Sequence, residues 1–237
     1  MHKRTIHFDN IASSYDEQLA EHVRAFLLVK KTRLTVKTLK KYGVSDGRGI
    51  DLGCGTGWYL KKISEYGYDM VGIDNSPSLV EEAKRNNKNG RASVKIGDIL
   101  SLGFEGESFD FAYCINSLHH LKDNNEFNSA LLEIHRVLKK GGILIIHELN
   151  TFFLFMVYLN YIFPLTSKID KFGGENWVHS RKLLKQNLFE MKELYYYTFF
   201  PHIIPKSLFS FFCKVNSFME RISLRKFGVH YMAVLRK

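Results

Sequence analysis

Ile50-Asp51-Leu52-Gly53-Cys54-Gly55-Thr56-Gly57 is the stretch on which the fold of this 237-residue chain turns. A short apolar run enters three alternate glycines, and Trp58-Tyr59-Leu60 follows. The pattern predicts a buried strand that passes through a glycine loop into a helix. Glycine has no Cβ, so the backbone can turn sharply and a ligand can approach it closely. The helix that follows points its free N–H groups, and the positive end of its dipole, at whatever lies over the loop. Spacing then excludes two readings. A dinucleotide loop, Gly-x-Gly-x-x-Gly, needs a third glycine where helix packs on strand, and that position here is Trp58. A phosphate loop ends in Gly-Lys-Ser/Thr, and no such run follows. Asp51, just ahead of the first glycine, suits a ligand that carries an ammonium group better than one that carries a diphosphate.

Working outward, Met70-Val71-Gly72-Ile73-Asp74 is a second apolar run that ends in an acid. In an open α/β sheet, ligands sit beyond the carboxyl ends of the strands, where the strand order reverses. An acid at that level can accept hydrogen bonds from two ribose hydroxyls. Ser76-Pro77 then starts a helix, with Ser76 as N-cap and Pro77 at the first helical position. Val94-Lys95-Ile96 leads to Gly97-Asp98-Ile99, and Phe109–Ile115 reads as a fourth strand ending in Asn116-Ser117-Leu118-His119-His120-Leu121. A helix is expected to stop at Leu138-Lys139-Lys140-Gly141-Gly142, with basic residues in its last turn and a glycine stop. Ile143–Ile146 is then a fifth strand.

Asp-x-Gly-x-Gly-x-Gly at a strand end resembles motif I of the class I S-adenosylmethionine-dependent methyltransferases. The ordered series of glycine loop, Asp74, Asp98 and Asn116–His120, each after an apolar strand, extends the resemblance over residues 8–147. Phe8-Asp9-Asn10-Ile11-Ala12-Ser13-Ser14-Tyr15-Asp16 is similar to the family's entry segment, which folds over the cofactor. The resemblance implies a Rossmann-like, doubly wound, seven-stranded and mostly parallel sheet with an antiparallel last strand, in an α/β/α sandwich. It implies S-adenosylmethionine as cofactor, held by Tyr15, Asp51, Gly53, Cys54, Gly55, Gly57, Asp74, Asn75, Asp98, Ile99 and Asn116. Asp98 would lie near the adenine amino group, and Ile99 near the ring. Tyr15 is a candidate lid residue, or simply packs with Phe8 on the sheet.

The acceptor is expected to be a small, partly apolar molecule. Oxygen, nitrogen and carbon nucleophiles are all compatible with the motifs. For a hydroxyl acceptor, His119, His120 and His147 are the candidate bases, because histidine titrates near neutral pH; Glu148 is a weaker one. No metal-ligand set stands out. The family's base-flipping members carry Asn/Asp-Pro-Pro-Tyr or a Pro-Cys nucleophile, and their absence argues against a nucleic-acid substrate.

Composition sets outer bounds. A chain of this length can bury one sizeable core. It is read as a single domain, 1–237, with a helical lid (1–45), a cofactor-binding core (46–147) and substrate-side inserts (148–180 and 201–227). The net charge of +10 is a solvated basic surface or an attraction to anionic partners. Cys54, Cys114 and Cys213 form no Cys-x-x-Cys pair, and Met1-His2-Lys3-Arg4 opens no apolar leader, so a reducing, cytoplasmic setting is expected. Phe152–Phe163 is an apolar run too short to span a bilayer. Ser180 is read as capping a helix through about Glu190, Leu194–Phe200 as strand six and Tyr231–Leu235 as the last strand. Between them Leu208, Phe211, Phe212, Val215, Phe218, Met219 and Ile222 recur at helical spacing. Residues 201–237 carry seven Lys/Arg against one acid. Such a helix either docks on its own domain or lies on a membrane surface, at the inner face. A module of this fold that binds the cofactor or a partner without turnover is the alternative.

Overall fold

The computed structural model describes residues 8–88, 90–150, 178, 180–200, 204–221 and 227–237. The candidate run Phe152–Phe163, Ile222 and the basic pair Arg225 and Lys226 lie outside them. Among the described residues, seven strands form one sheet: β1 (Arg48–Leu52), β2 (Asp69–Asp74), β3 (Ser93–Ile96), β4 (Phe109–Ile115), β5 (Leu138–Leu149), β6 (Glu190–Tyr197) and β7 (His230–Arg236). Their order is β3-β2-β1-β4-β5-β7-β6. Strands β1 to β5 pair in parallel, and β7 runs antiparallel to both β5 and β6. This is the doubly wound, mostly parallel sheet that the motifs imply.

Alternation along the central strands splits the core in two. On β4, Ala112 and Cys114 face one side, and Phe111, Tyr113 and Ile115 the other. The first side packs on α4 (Asn124–Val137) through Phe127, Ala130, Leu131 and Ile134, with Leu183 of α5 (Ser180–Leu184). The second packs on α1 (Glu21–Lys41) through Val36 and Leu39, and on α2 (Trp58–Ser64) through Leu60 and Ile63. Strands buried on both faces read as continuous apolar runs, which is why Ile143–Ile146 shows no polar alternation.

Local signals set the helix ends. Glu21 opens α1, Lys40 and Lys41 close it, and Gly43 stands just beyond at φ 82°. In α3 (Pro77–Asn86), the Ser76 side chain accepts the Leu79 N–H, and Pro77 is the first residue, as the sequence predicts. Three expectations need correction. The helix before the fifth strand ends at Val137, and Leu138-Lys139-Lys140 already belongs to β5, because Leu138 pairs with Phe109 across a register shift. The helix from Ser180 ends at Leu184, and Glu190 begins β6, which pairs with β7 as far as Tyr197. Beyond Tyr197, Thr198 takes φ 62°, which turns the chain out of the strand.

The third correction concerns α6 (Lys206–Met219). Its docked face is carried by Phe209, Phe212 and Asn216, at helical spacing. Phe209 packs on Phe26 and Phe200 at centroid distances of 5.8 and 5.9 Å, and Asn216 Oδ1 accepts the Phe199 N–H at 2.9 Å. Leu208, Phe211 and Phe218 are instead 50%, 63% and 63% exposed. The helix is apolar on both faces, so periodicity alone picked out residues from each.

Two acids of the entry segment fasten it to the glycine loop and to the starts of the helices around it. Asp9 accepts the Ser76 hydroxyl and the Ser78 N–H, at the start of α3. Asp16 accepts Thr56 Oγ1 at 3.0 Å and Trp58 Nε1 at 2.7 Å, and pairs with Arg24 at 3.0 Å. Asp16→Ala is therefore expected to cost about 1–2 kcal/mol, near the lower range for charged hydrogen bonds because Asp16 is half-exposed. The check is a fall in Tm of a few degrees, with a red-shifted Trp58 emission measured in a Trp177→Phe background.

Candidate active site

The strand order reverses between β1 and β4, so the loops that follow them diverge and leave a crevice. The glycine loop forms one wall. Gly53 N and Cys54 N both donate to Ile73 O at 2.9 Å, and Gly55 N donates to Asp74 Oδ2 at 2.9 Å. Gly57 (φ 78°) and Gly55 (φ 52°) both take the left-handed conformation, yet they face different things. A Cβ on Gly57 would stand 2.7 Å from the Asn87 amide and 2.9 Å from Ala83 Cβ, so Gly57 lets α3 approach. A Cβ on Gly55 would meet only the Tyr15 ring, at an ordinary contact distance of 3.7 Å. Gly55 is the loop residue that presents bare backbone, and Tyr15 lies over it.

The acids differ in setting. Asp51 is almost fully buried and accepts the Tyr113 hydroxyl at 2.9 Å. Burial raises its pKa to about 8, and the negative charge of Asp74 adds to the rise. Asp74 is half-buried; its two oxygens accept Gly55 N and Ser76 N. Burial raises its pKa while those backbone donors pull it down. Asn75 and Asp98 are exposed and Ile99 is half-buried, and Asp98 Oδ1 accepts Leu100 N at 2.9 Å. The Cys54 thiol is buried, and its pKa is pushed up by burial and by the neighbouring Asp51 and Asp74, which keeps it unreactive.

Opposite the glycine loop stands the turn after β4. Asn116 takes φ 55°, a conformation that asparagine tolerates, and its N–H donates to His147 O at 2.9 Å. Glu148, fully buried at the end of β5, holds the turn: Oε1 accepts Leu118 N at 2.9 Å, and Oε2 accepts His119 Nδ1 at 2.7 Å. The His119 and His120 rings lie 4.1 Å apart with their planes tilted by 48°, and Phe8 packs edge-on against His120 at 4.9 Å. The entry segment thus covers both walls, with Tyr15 on the loop and Phe8 on the turn.

His147 is placed differently. Its ring is fully buried, with Nε2 3.0 Å from Thr35 Oγ1 and Nδ1 2.7 Å from the Tyr197 hydroxyl. Burial, and then the charge of Lys31, push its pKa well below the usual value and keep it neutral. Both ring nitrogens are engaged within the fold, which leaves His147 no nitrogen for a substrate proton.

Sequence reasoning passed over Lys31. Standing among Lys30, Arg33 and Lys37 it reads as one more basic surface residue, yet it is fully buried, and its Nζ donates to Asn116 Oδ1 at 3.1 Å. Burial lowers its pKa to about 7, against the pull of Glu148. A signal was present: Lys31 shares a four-residue spacing with Val23, Leu27, Thr35 and Leu39, all buried. The roles of Asp9 and Asp16 had no such signal, since nothing local distinguishes a clamping acid from a solvated one.

A family model for the methyltransferase domain matches residues 50–146. The demethylmenaquinone methyltransferase of Staphylococcus aureus (strain MRSA252) is 30% identical over 182 residues, which cover 70% of this chain and 72% of that protein. This chain belongs to the class I S-adenosylmethionine-dependent methyltransferases. Another relative is the glycine/sarcosine N-methyltransferase of Parasynechococcus marenigrum, 34% identical over 120 residues, or 48% of this chain and 42% of that protein. The match therefore spans less than half the length of that second relative. In fold, this chain superposes on a SAM-dependent methyltransferase of Thermotoga maritima with a TM-score of 0.63 at 21% identity, covering 97% of this chain and 98% of that one.

Class membership makes S-adenosylmethionine the cofactor, and the residues present fit it. Gly55 sets backbone without a Cβ beneath Tyr15, and Asp51 is a buried acid with no ion pair among the described residues. Two substitutions separate architecture from binding. Gly57→Ala is expected to lower Tm by several degrees, because α3 must move. Gly55→Ala is expected to cost only about 1–2 kcal/mol of strain, while weakening cofactor affinity at least about tenfold. Melting curves and calorimetric titration distinguish the two.

Proposed function

We propose that this protein transfers the methyl group of S-adenosylmethionine to a small, partly apolar acceptor held beyond the ends of β4 and β5. The observation that supports this reading is the convergence of Gly55, Asp51 and Asp74 at one end of the crevice, facing the Asn116–His120 turn. The cofactor supplies a methyl group activated on a sulfonium, so the protein's part is to bind, orient and exclude water. In this reading Gly53, Cys54, Gly55 and Gly57 offer backbone to the cofactor. Asp74, with Asn75, receives the ribose, Asp98 and Ile99 receive the adenine, Asp51 answers the ammonium, and Tyr15 covers them. Residues 1–45 act as a lid, and 148–180 and 201–227 as substrate-side inserts.

For a hydroxyl acceptor the base we favour is His119. Glu148 accepts from its Nδ1–H, which sets the tautomer with the ring's lone pair on Nε2. His120 shapes the acceptor side with Phe8, and His147 braces β5 against α1 and β6. The relative aligned over most of its length is named for demethylmenaquinone, which supports an acceptor with a large apolar part. Glycine and sarcosine name the other chemistry to test. A cofactor-binding module without turnover is the competing reading.

Binding gives the first test. Asp51, with its pKa near 8, is mostly protonated at pH 7. A cation brought over the loop lowers that pKa, so the carboxyl ionises and a proton leaves. S-adenosylmethionine binding at pH 7 is therefore expected to release protons, with calorimetric enthalpies that depend on the buffer. The release should vanish at pH 9.5 and in Asp51→Asn. Failure to bind S-adenosylmethionine would reject the cofactor reading. Binding without methylation of sarcosine or of a reduced, prenylated naphthoquinone would favour the module.

We also propose that the protein works at the inner face of the cytoplasmic membrane, through α6. No described helix is long and apolar enough to cross a membrane. The exposed Leu208, Phe211 and Phe218 stand on one helix with Lys206 and Lys214, and Arg221 follows just past its end. A groove of about 430 Å³ there is lined by Ser210, Cys213, Lys214, Ser217, Phe218 and Arg221. Aromatic residues among cations suit an anionic interface. The protein is expected to co-sediment with phosphatidylglycerol vesicles at low salt and to dissociate at high salt. Phe211→Ser with Phe218→Ser should abolish binding without lowering Tm.

A further inference from the structure

We propose that Lys31 is a positioning residue of the cofactor site, holding the side-chain amide of Asn116 in one orientation at the end of β4. Its purpose rests on the methyltransferase reading above; its geometry rests on separate observations. The lysine lies mid-way along α1 and is fully buried. Among the described residues its Nζ makes a single hydrogen bond, to Asn116 Oδ1 at 3.1 Å, and no ion pair.

The packing alone does not require an amine. Methionine has a similar length and no charge, and a buried amine is unfavourable unless it is used. The neighbouring acid does not claim it either. Both oxygens of Glu148 already accept, from Leu118 N and from His119 Nδ1. His147 is held by Thr35 and Tyr197. The donor capacity of Lys31 is directed to Asn116.

Asn116 has one freedom left to fix. Its backbone is set by φ 55° and by the bond from its N–H to His147 O. The side-chain amide can still turn. Binding its oxygen to Lys31 sends the amide nitrogen, with two N–H donors, to the other side of the group. The contact bridges elements far apart in sequence, so the helical lid, rather than the sheet alone, sets the donor at the strand end.

The test is a double-mutant cycle on S-adenosylmethionine affinity, run on the full chain by calorimetry beside melting curves. Lys31→Met is expected to leave Tm unchanged or higher, because an unneeded buried amine is gone, and to weaken affinity about three- to tenfold, the loss of one hydrogen bond's worth of orientation. Adding Lys31→Met to Asn116→Ala should bring no further loss, since the lysine acts only through the amide. Full affinity in Lys31→Met, or losses that multiply in the double variant, would overturn the proposal. So would a fall in Tm with unchanged affinity, the mark of a purely structural lysine. Should Lys31→Met fail to fold, Asn116→Ala decides: it must move the Lys31 Cε resonance, and an unmoved resonance refutes the contact. An unsubstituted protein that does not bind S-adenosylmethionine sinks the methyltransferase reading and this role together, a result distinct from an additive cycle in a protein that binds.

Discussion

The structure hangs on the contact between the first turn after β1 and the first turn after β4. Ser117 packs where a Cβ on Gly53 would stand, with its own Cβ 2.6 Å from that point, and its hydroxyl donates to Leu52 O at 2.8 Å. Two parallel neighbours are joined there just before their loops part in opposite directions. The crevice opens because the loops diverge, and it is narrow because they start in contact. A side chain at Gly53 would push the walls apart and move the Asn116–His120 turn away from Gly55.

Around that contact the polar groups divide by task. Asp74 holds the glycine loop by Gly55 N, and Glu148 holds the opposite turn by Leu118 N and His119. Each carboxylate closes one β-α connection, and each sits at the carboxyl end of its strand. Asp51 does neither. It rests under the loop with a tyrosine hydroxyl for company, at a cost that burial imposes on any carboxylate. In the proposed function this buried carboxyl is the group that meets the cofactor's ammonium.

Helix α1 joins the core to its cover. Lys31 reaches inward to Asn116, while its neighbour Lys30 pairs with Glu220 just past the end of α6. Asn216 Nδ2 donates to the same carboxylate at 2.9 Å. Helix α6 is therefore fastened to α1 by charge and to Phe26 and Phe200 by aromatic packing. That leaves its Phe211 and Phe218 side facing outward among basic residues.

The sequence by itself determined the sheet, the glycine loop and the acids that follow its strands. Those features depend on local rules: alternate glycines, apolar runs buried on both faces, and caps within a residue or two of a helix end. Strand ends were less legible, because Leu138 and Glu190 join strands only through partners distant in the chain. Tertiary structure decided which polar side chains are buried and what they meet. Lys31 and His147 look like a surface lysine and a candidate base when read alone. Packing α1 across the ends of β4 and β5 buries both, gives the amine to Asn116 and closes Nε2 of the imidazole, while Tyr197 of β6 closes Nδ1. The same packing turned Asp9 and Asp16 into clamps and divided the two apolar faces of α6, because burial and pairing are set by contacts between segments and not by any one segment's composition.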